Sequence, residues 1–338
     1  MEPLPAFSDD PFTNDMVPGA QSALTNVLDM NKGDRVLVVT DSSKQRIGQA
    51  FRVSACKLGG LVNFFMLEEP PRPYMKVPST LKKTISDQDI IINAFSANST
   101  ETPFRVELTH LEAINGSKVG HAPGITEDMM LGGPMNVDYQ KIATEANRLM
   151  KLLKGVNWVH ITTDAGTDFK LCIKDREFET DTKILPGKIG NLPAGEIWCA
   201  PVETEGCGTV VIDGTIGDVG KVPTVLTIEI EQGKITRLKS DDHVFLDNIK
   251  ELVSIDPMAN VIGELGIGLN PKARLVGNML EDEKAGGTAH IAFGDNIDMP
   301  GGKNNSCTHR DFLFHKPTIT VEKNGDEFIL LDSGKVTV

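Results

Sequence analysis

The strongest constraint on this chain is a set of apolar runs near its start that do not alternate with polar residues. Val36-Leu37-Val38-Val39 reads as a strand of the buried type, Leu61 to Leu67 as a second strand and Asp89 to Ala94 as a third. The segments between them carry helical spacing. Asp41-Ser42-Ser43 supplies an N-cap for a helix over Gln45 to Leu58, Gly59-Gly60 stops it, and a more polar helix is predicted near Ser79 to Ile85. Strands and helices in this order fold as an open α/β layer with a mostly parallel sheet, because a helix carries the chain back between parallel neighbours.

This N-terminal α/β domain is expected over residues 1–154. It ends in an amphipathic helix, Tyr139 to Lys154, which bridges to the next domain. Ala20 to Met30 also carries helical spacing. Residues 1–17, rich in Pro and Asp, are expected to form a loosely held arm, with loops at Pro70 to Pro73 and at Gly116 to Met135 around His121. The strand Val36 to Thr40 is followed by Asp41-Ser42-Ser43-Lys44 rather than G-x-G-x-x-G, and no P-loop occurs, so the domain is expected to be a scaffold.

From Val156 the texture changes to short β-type runs with turn signals between them. They fall at Trp158–Thr163, Phe169–Ile173, Glu196–Val202, Thr209–Asp213, Thr224–Glu231 and Lys234–Leu238, with a hairpin turn at Glu231-Gln232-Gly233-Lys234 and a helix over His243–Ile255. Residues 155–338 are therefore expected as a β-rich α+β domain, built on a curved sheet or partly closed barrel.

Composition narrows the function classes. A net charge of −13 disfavours nucleic acid and anionic membrane as partners. Aromatic residues are 5% of the chain, which leaves few stacking platforms for single strands. No apolar run spans a bilayer, and the N-terminus lacks the basic and apolar regions of a signal peptide. Five scattered cysteines without C-x-x-C argue against a disulfide framework or thiolate zinc site and fit a reducing, cytoplasmic location.

Chemistry-bearing side chains crowd into residues 263–311. Glu264 sits between Gly263 and Gly266, His290 opens the run His290-Ile291-Ala292-Phe293-Gly294, and His309 and Asp311 form an H-x-D pair after a Gly/Asn/Ser loop. In a strand, residues two apart share a face, so His309 and Asp311 project together. With a second His and a Glu nearby they make an N/O metal site. A single H-x-D pair often binds nothing; the position of these residues beside glycine-rich loops is what favours function. Glu196 enters an otherwise apolar strand, where a carboxylate needs a cation, a salt-bridge partner or an edge position. Cys307 reads as a small buried cysteine rather than a ligand.

Taken together, NLPAGEIWCAP, GELGIGLNP, TAHIAFGDN and SCTHRD resemble the thermophilic-type leucyl aminopeptidases, the aminopeptidase T family of metallopeptidases. They also resemble the related mononuclear iron 2,5-dihydroxypyridine dioxygenases. The likeness is weak in the first domain and good from about Asn191 to Asp311. It implies a two-metal centre whose ligands fall on Glu196, Glu264, His290, His309 and Asp311, a homodimer, and a small-molecule or short-peptide substrate. Two departures stand out. The peptidases place a tyrosine shortly after the H-I-A-x-G histidine, whereas this chain has Asp295-Asn296-Ile297-Asp298 there, and its two tyrosines are Tyr74 and Tyr139. The segment from Glu264 to His290 is also shorter than in the peptidases. The dioxygenases place a histidine near Glu264, with His290 as the substitute here.

The expected activity is metal-dependent hydrolysis of aminopeptidase type, in which metal-activated water attacks a peptide or amide carbonyl. Glu196 and Glu264 act through the metal, and Glu283, beside Glu281 and Asp282, is a candidate acid–base group. That acidic trio equally reads as a solvated face. Lys284 and Arg310 either neutralise a carboxylate or oxyanion or are ordinary surface charges. The ligand chemistry suits one or two ions of zinc, manganese, cobalt or iron. The alternatives are an Fe(II) ring-cleaving dioxygenase and a metal-free binding or structural protein.

Overall fold

The structure is a computed structural model and describes residues 11–68 and 72–338. The chain divides into two compact units. One comprises residues 1–143 and 181–194, the other residues 144–180 and 195–338. The return of residues 181–194 to the first unit is not anticipated by a single boundary at residue 154.

The first unit is built on a five-stranded sheet in the order Leu61–Met66, Arg35–Thr40, Ile90–Ala94, Lys118–His121, Ile189–Asn191, with every pairing parallel. Ile90–Ala94 is buried along its whole length, as the run Ile90-Ile91-Ile92 requires, and the one polar residue, Asn93, donates to Glu112 at 2.8 Å. Leu61–Met66 lies at the sheet edge and is only partly covered, with Leu61 63% exposed. The helix Gln45–Lys57 buries Ile47, Ala50, Phe51 and Ala55, and Asp41 caps the short turn before it by accepting from the Lys44 amide. The Asp41 carboxylate also accepts from the Ser96 amide at 2.7 Å and from Arg72 at 2.5 Å, and Arg72 is paired in turn with Glu101.

Two expectations for this unit are corrected. Pro11–Ser22 is a helix rather than part of an arm, because a proline in the first turn gives up no needed amide and Met16, Val17 and Ala20 form a buried stripe. Residues 1–10 and 69–71 lie outside the described residues. The stretch around His121 is not a plain loop. Lys118–His121 is an interior strand of the sheet, and Glu127–Leu131 is a helix capped by the Thr126 hydroxyl.

The second unit is neither one curved sheet nor a barrel. It contains an eight-stranded and a seven-stranded sheet, both antiparallel at the pairings that build them. Val159, Ile161, Phe169, Leu171 and Val210 from one sheet share a buried cluster with Ile197, Leu265, Ile267, Ile291, Phe293, Phe312 and Phe314 from the other. The helix His243–Leu252 adds Phe245, Leu246 and Ile249 to that cluster. The predicted hairpin at Glu231–Lys234 is present, with Gln232 and Gly233 both at positive φ, 49° and 73°.

Candidate metal centre

Four neighbouring strands of the seven-stranded sheet carry the predicted residues: His309–His315, Thr288–Gly294, Ile262–Gly268 and Glu196–Cys199. Each strand obeys the same alternation. Ile197, Cys199, Leu265, Ile267, Ala289, Ile291, Phe293, Phe312 and Phe314 point into the hydrophobic cluster. The residues between them, Glu196, Glu264, His290, His309 and Asp311, therefore fall together on the opposite face.

Register then brings them to one place. Glu264 is opposite Ala292, and Ala292 is opposite Asp311, so the two carboxylates flank a methyl group. His290 is opposite Gly266. A Cβ on Gly266 would stand 2.0 Å from His290 Nε2, so the imidazole occupies the space that any other residue's side chain would need. Glu196 is opposite Gly268, the next glycine on the same strand. The glycines of G-E-L-G-I-G thus clear the face for side chains from its neighbours.

The donor atoms converge. Glu264 Oε1 lies 3.2 Å from His290 Nε2, and Glu264 Oε2 lies 3.1 Å from His309 Nε2. His309 Nε2 is 3.4 Å from Asp311 Oδ1, and His290 Nε2 is 3.7 Å from Glu196 Oε2. Ligand atoms of Glu264, His309 and Asp311 all lie within 4.8 Å of one another. Glu264 and His290 are buried, whereas the His309 side chain is 31% exposed, so the group opens to solvent at His309.

The residues fit a divalent cation. His309 Nδ1 lies 2.7 Å from the Asp295 carbonyl, which only accepts, so Nδ1 holds a proton. In the neutral tautomer Nε2 then directs its lone pair at two carboxylates. A cation between them, or a second proton on the ring, resolves that arrangement. The electrostatics say the same. Burial opposes charge on His290, but the Glu264 contact and the Glu196 and Asp311 charges hold its pKa up at about 9. Burial also opposes charge on His309, and Asp311 followed by Glu264 raises it well above the ordinary value. Burial pushes the Glu264 carboxyl up, yet the two histidines outweigh it and hold it below its usual range. Without a metal this cluster therefore holds protons on its imidazoles, and a divalent ion supplies the same positive charge.

The remaining predicted residues divide. Glu283 is buried, and its carboxyl is raised chiefly by burial. Lys284, fully buried, bonds to Glu283 Oε1 at 2.7 Å and pairs with Glu196, which supplies the salt-bridge partner expected for Glu196, while its strand lies inside the sheet and not at the edge. The solvated-face reading of the acidic trio is corrected: all three are buried. Glu281 is tied to Arg274 at 2.9 Å, and Asp282 accepts from the Val276 and Gly277 amides and is bonded to Thr215, so both brace the turn. Arg310 alternates away from His309 and Asp311 and pairs with Asp218 at 3.3 Å. Cys307 is exposed rather than buried, because its backbone sits in a loop held by Asp256. Sequence reasoning missed the spacing role of Gly266 and Ala292, though the alternating glycines announce it.

The profile of the family described as thermophilic metalloprotease (M29) matches residues 134–336. A 2,5-dihydroxypyridine 5,6-dioxygenase of Pseudomonas putida is 27% identical over 177 residues, 47% of this chain and 49% of the relative. The match thus spans about half the length of that relative. Among solved structures, the 2,5-dihydroxypyridine dioxygenase from Pseudomonas putida KT2440 superposes with a TM-score of 0.73 at 19% identity, over 96% of this chain and 98% of that one. Wild-type AmpT from Thermus thermophilus superposes with a TM-score of 0.72 at 15% identity, over 97% and 100%. At such identities these two structures show a common fold.

Proposed function

The chain belongs to the thermophilic metalloprotease (M29) family, and from that premise we propose that it is a metal-dependent hydrolase of aminopeptidase type acting on short peptides or small amides. One observation carries the reading: the donors of Glu264, His309 and Asp311 lie within 4.8 Å of one another, with His309 oriented by the Asp295 carbonyl. These three residues would hold the ion, with His290 and Glu196 beside them. A divalent ion at such a site polarises a carbonyl and lowers the pKa of water.

The chain's own groups do the rest. Asp295 fixes the His309 ring, and Gly266 gives His290 the room to reach Glu264. Glu283, with its raised carboxyl pKa, takes a proton from the attacking water and returns it to the leaving amine. It thereby fills the acid–base role for which the family's tyrosine is missing here. The exposed edge at His309 admits substrate, while the buried side at His290 excludes bulk water. A cytoplasmic homodimer belongs to the same proposal; light scattering tests the dimer.

The test is release of the N-terminal amino acid from aminoacyl anilides and dipeptides by protein stripped of metal and reconstituted with Zn²⁺, Mn²⁺ or Co²⁺. Metal-dependent release supports the reading, and no release with any of these ions contradicts it. A second reading, an Fe(II) ring-cleaving dioxygenase, is favoured by the 27% identical relative and by a compact group of three donors. Oxygen uptake with Fe(II) and a dihydroxypyridine would support it instead. Glu264, a carboxylate where those enzymes place a histidine, speaks for hydrolysis.

A further inference from the structure

Lys284 is the most unusual charged residue of the second unit. Its exposure is 0%, and its ammonium bonds to Glu283 Oε1 at 2.7 Å and to Glu196 Oε1. The backbone around it leaves little freedom. The Asn270 amide donates to the Lys284 carbonyl at 2.7 Å, and the Lys284 amide donates to Glu281 at 3.1 Å. A Cβ on Gly268 would come within 2.2 Å of the Ala285 carbonyl oxygen, so this turn is pressed onto the strand opposite Glu196. Lys284 is a built part of the face and not a surface lysine folded inward.

Its position bears on how many cations the face can hold. Glu264, His309 and Asp311 define one ion position. A second position would have to draw on Glu196 and His290, whose nearest atoms are 3.7 Å apart. Lys284 already sits on the other oxygen of that same glutamate. A second divalent ion sharing Glu196 would lie within a few ångströms of a buried ammonium, in a setting where like charges repel strongly. A buried lysine resists removal because its two carboxylates would be left unpaired.

Resting on the metal-dependent reading above, we propose that Lys284 is a fixed internal cation that takes the place of a second metal ion, so that this chain works with one ion held by Glu264, His309 and Asp311. Lys284 holds the Glu196 and Glu283 carboxylates in position beside that ion. It is a positioning residue, and its charge replaces what a second ion would otherwise contribute to the face.

The experiment is metal stoichiometry on the full chain, dialysed against excess Mn²⁺ or Zn²⁺ and then desalted, with ions per chain measured by plasma mass spectrometry. The Mn²⁺ protein is also examined by electron paramagnetic resonance, which distinguishes an isolated ion from a coupled pair. The wild type is expected to hold about one ion per chain with an isolated-ion spectrum. Lys284→Ala, which frees both carboxylates, is expected to rise to about two ions with a coupled spectrum. Lys284→Arg is expected to stay at one. If Lys284→Ala does not fold, Lys284→Gln keeps a donor without the charge and carries the same comparison.

Two ions in the wild type would overturn the inference and leave the metal-dependent hydrolase standing. One ion in both the wild type and the uncharged variants would also overturn it, because Lys284 would then not be what excludes the second. No ion in any form would overturn the metal reading itself, and this inference with it.

Discussion

Replacing Gly266 by alanine tests how the candidate centre is assembled. The added Cβ would stand 2.0 Å from His290 Nε2 and 2.1 Å from its Cε1, where ordinary contact begins near 3.4 Å. The imidazole would have to retreat by well over an ångström. At 1% exposure, with Glu264, Glu196 and Asp311 around its Nε2, it has nowhere to go without breaking its 3.2 Å contact to Glu264. Overpacking of a tight interior costs about 1–3 kcal/mol. A lost hydrogen bond to a charged group costs about 1.5–3 kcal/mol, part of which relaxation recovers. The metal-free variant is therefore expected to lose about 2–4 kcal/mol, read as a lowered urea midpoint at unchanged slope. Its metal affinity is expected to fall about 10–100-fold by calorimetric titration, as when groups that orient ligands are disturbed. Gly132→Ala is the control: its φ of 176° is extended, nothing stands within 4 Å of its added Cβ, and a change within about 0.5 kcal/mol is expected. If Gly266→Ala behaved like Gly132→Ala in both assays, the placement of His290 against that glycine would be refuted.

Four further outcomes follow from the same structure. His309→Ala is expected to abolish metal binding and activity and to lower metal-free stability by about 1.5–3 kcal/mol, because Glu264 and Asp311 lose their contacts to the imidazole; full metal retention would remove it from the ligand set. Glu283→Gln is expected to cut kcat about 100-fold or more with unchanged metal content, and an unchanged kcat would dismiss it as the acid–base group. Burial pushes the Asp41 carboxyl up, but bonds from Ser96, Ser43 and Arg72 outweigh it and hold its pKa at about 2. Because the folded value is depressed, this stabilisation, about 2 kcal/mol, is present above pH 4 and lost as pH falls from 4 through 2. Asp41→Asn should flatten the stability profile in that window, and an unaltered acid limb would count against the network. Phe312→Ala empties a fully buried position whose ring meets Phe293 edge-on at 5.4 Å, and should cost about 3–5 kcal/mol by urea unfolding. A loss below 1 kcal/mol would mean that the sheet face repacks freely.

Much of the first unit is legible because a strand covered on both faces is largely apolar, as Val36–Val39 and Ile90–Ile92 are. The H-x-D pair is legible because strand periodicity alone puts His309 and Asp311 on one face. Other features leave no local mark. Ile189–Asn191 is three residues long and pairs with a strand some seventy positions earlier, so nothing in its own composition assigns it to the first unit. Glu281 to Lys284 reads as a solvated charge run, and only the turn closing onto Gly268 makes it a buried network. The Asp295 carbonyl that orients His309 is a backbone group, present at every residue and therefore silent in the sequence. The helix at Pro11–Ser22 is obscured by its two prolines: Pro11 sits in the first turn, where proline is tolerated, but Pro18 lies inside the helix.

The most direct test of the central claim is a crystal of the metal-loaded protein measured at the absorption edge of the bound metal. An anomalous peak within coordination distance of Glu264, His309 and Asp311 is the result this account predicts. A peak elsewhere, or none from a crystal soaked in excess metal, would contradict it.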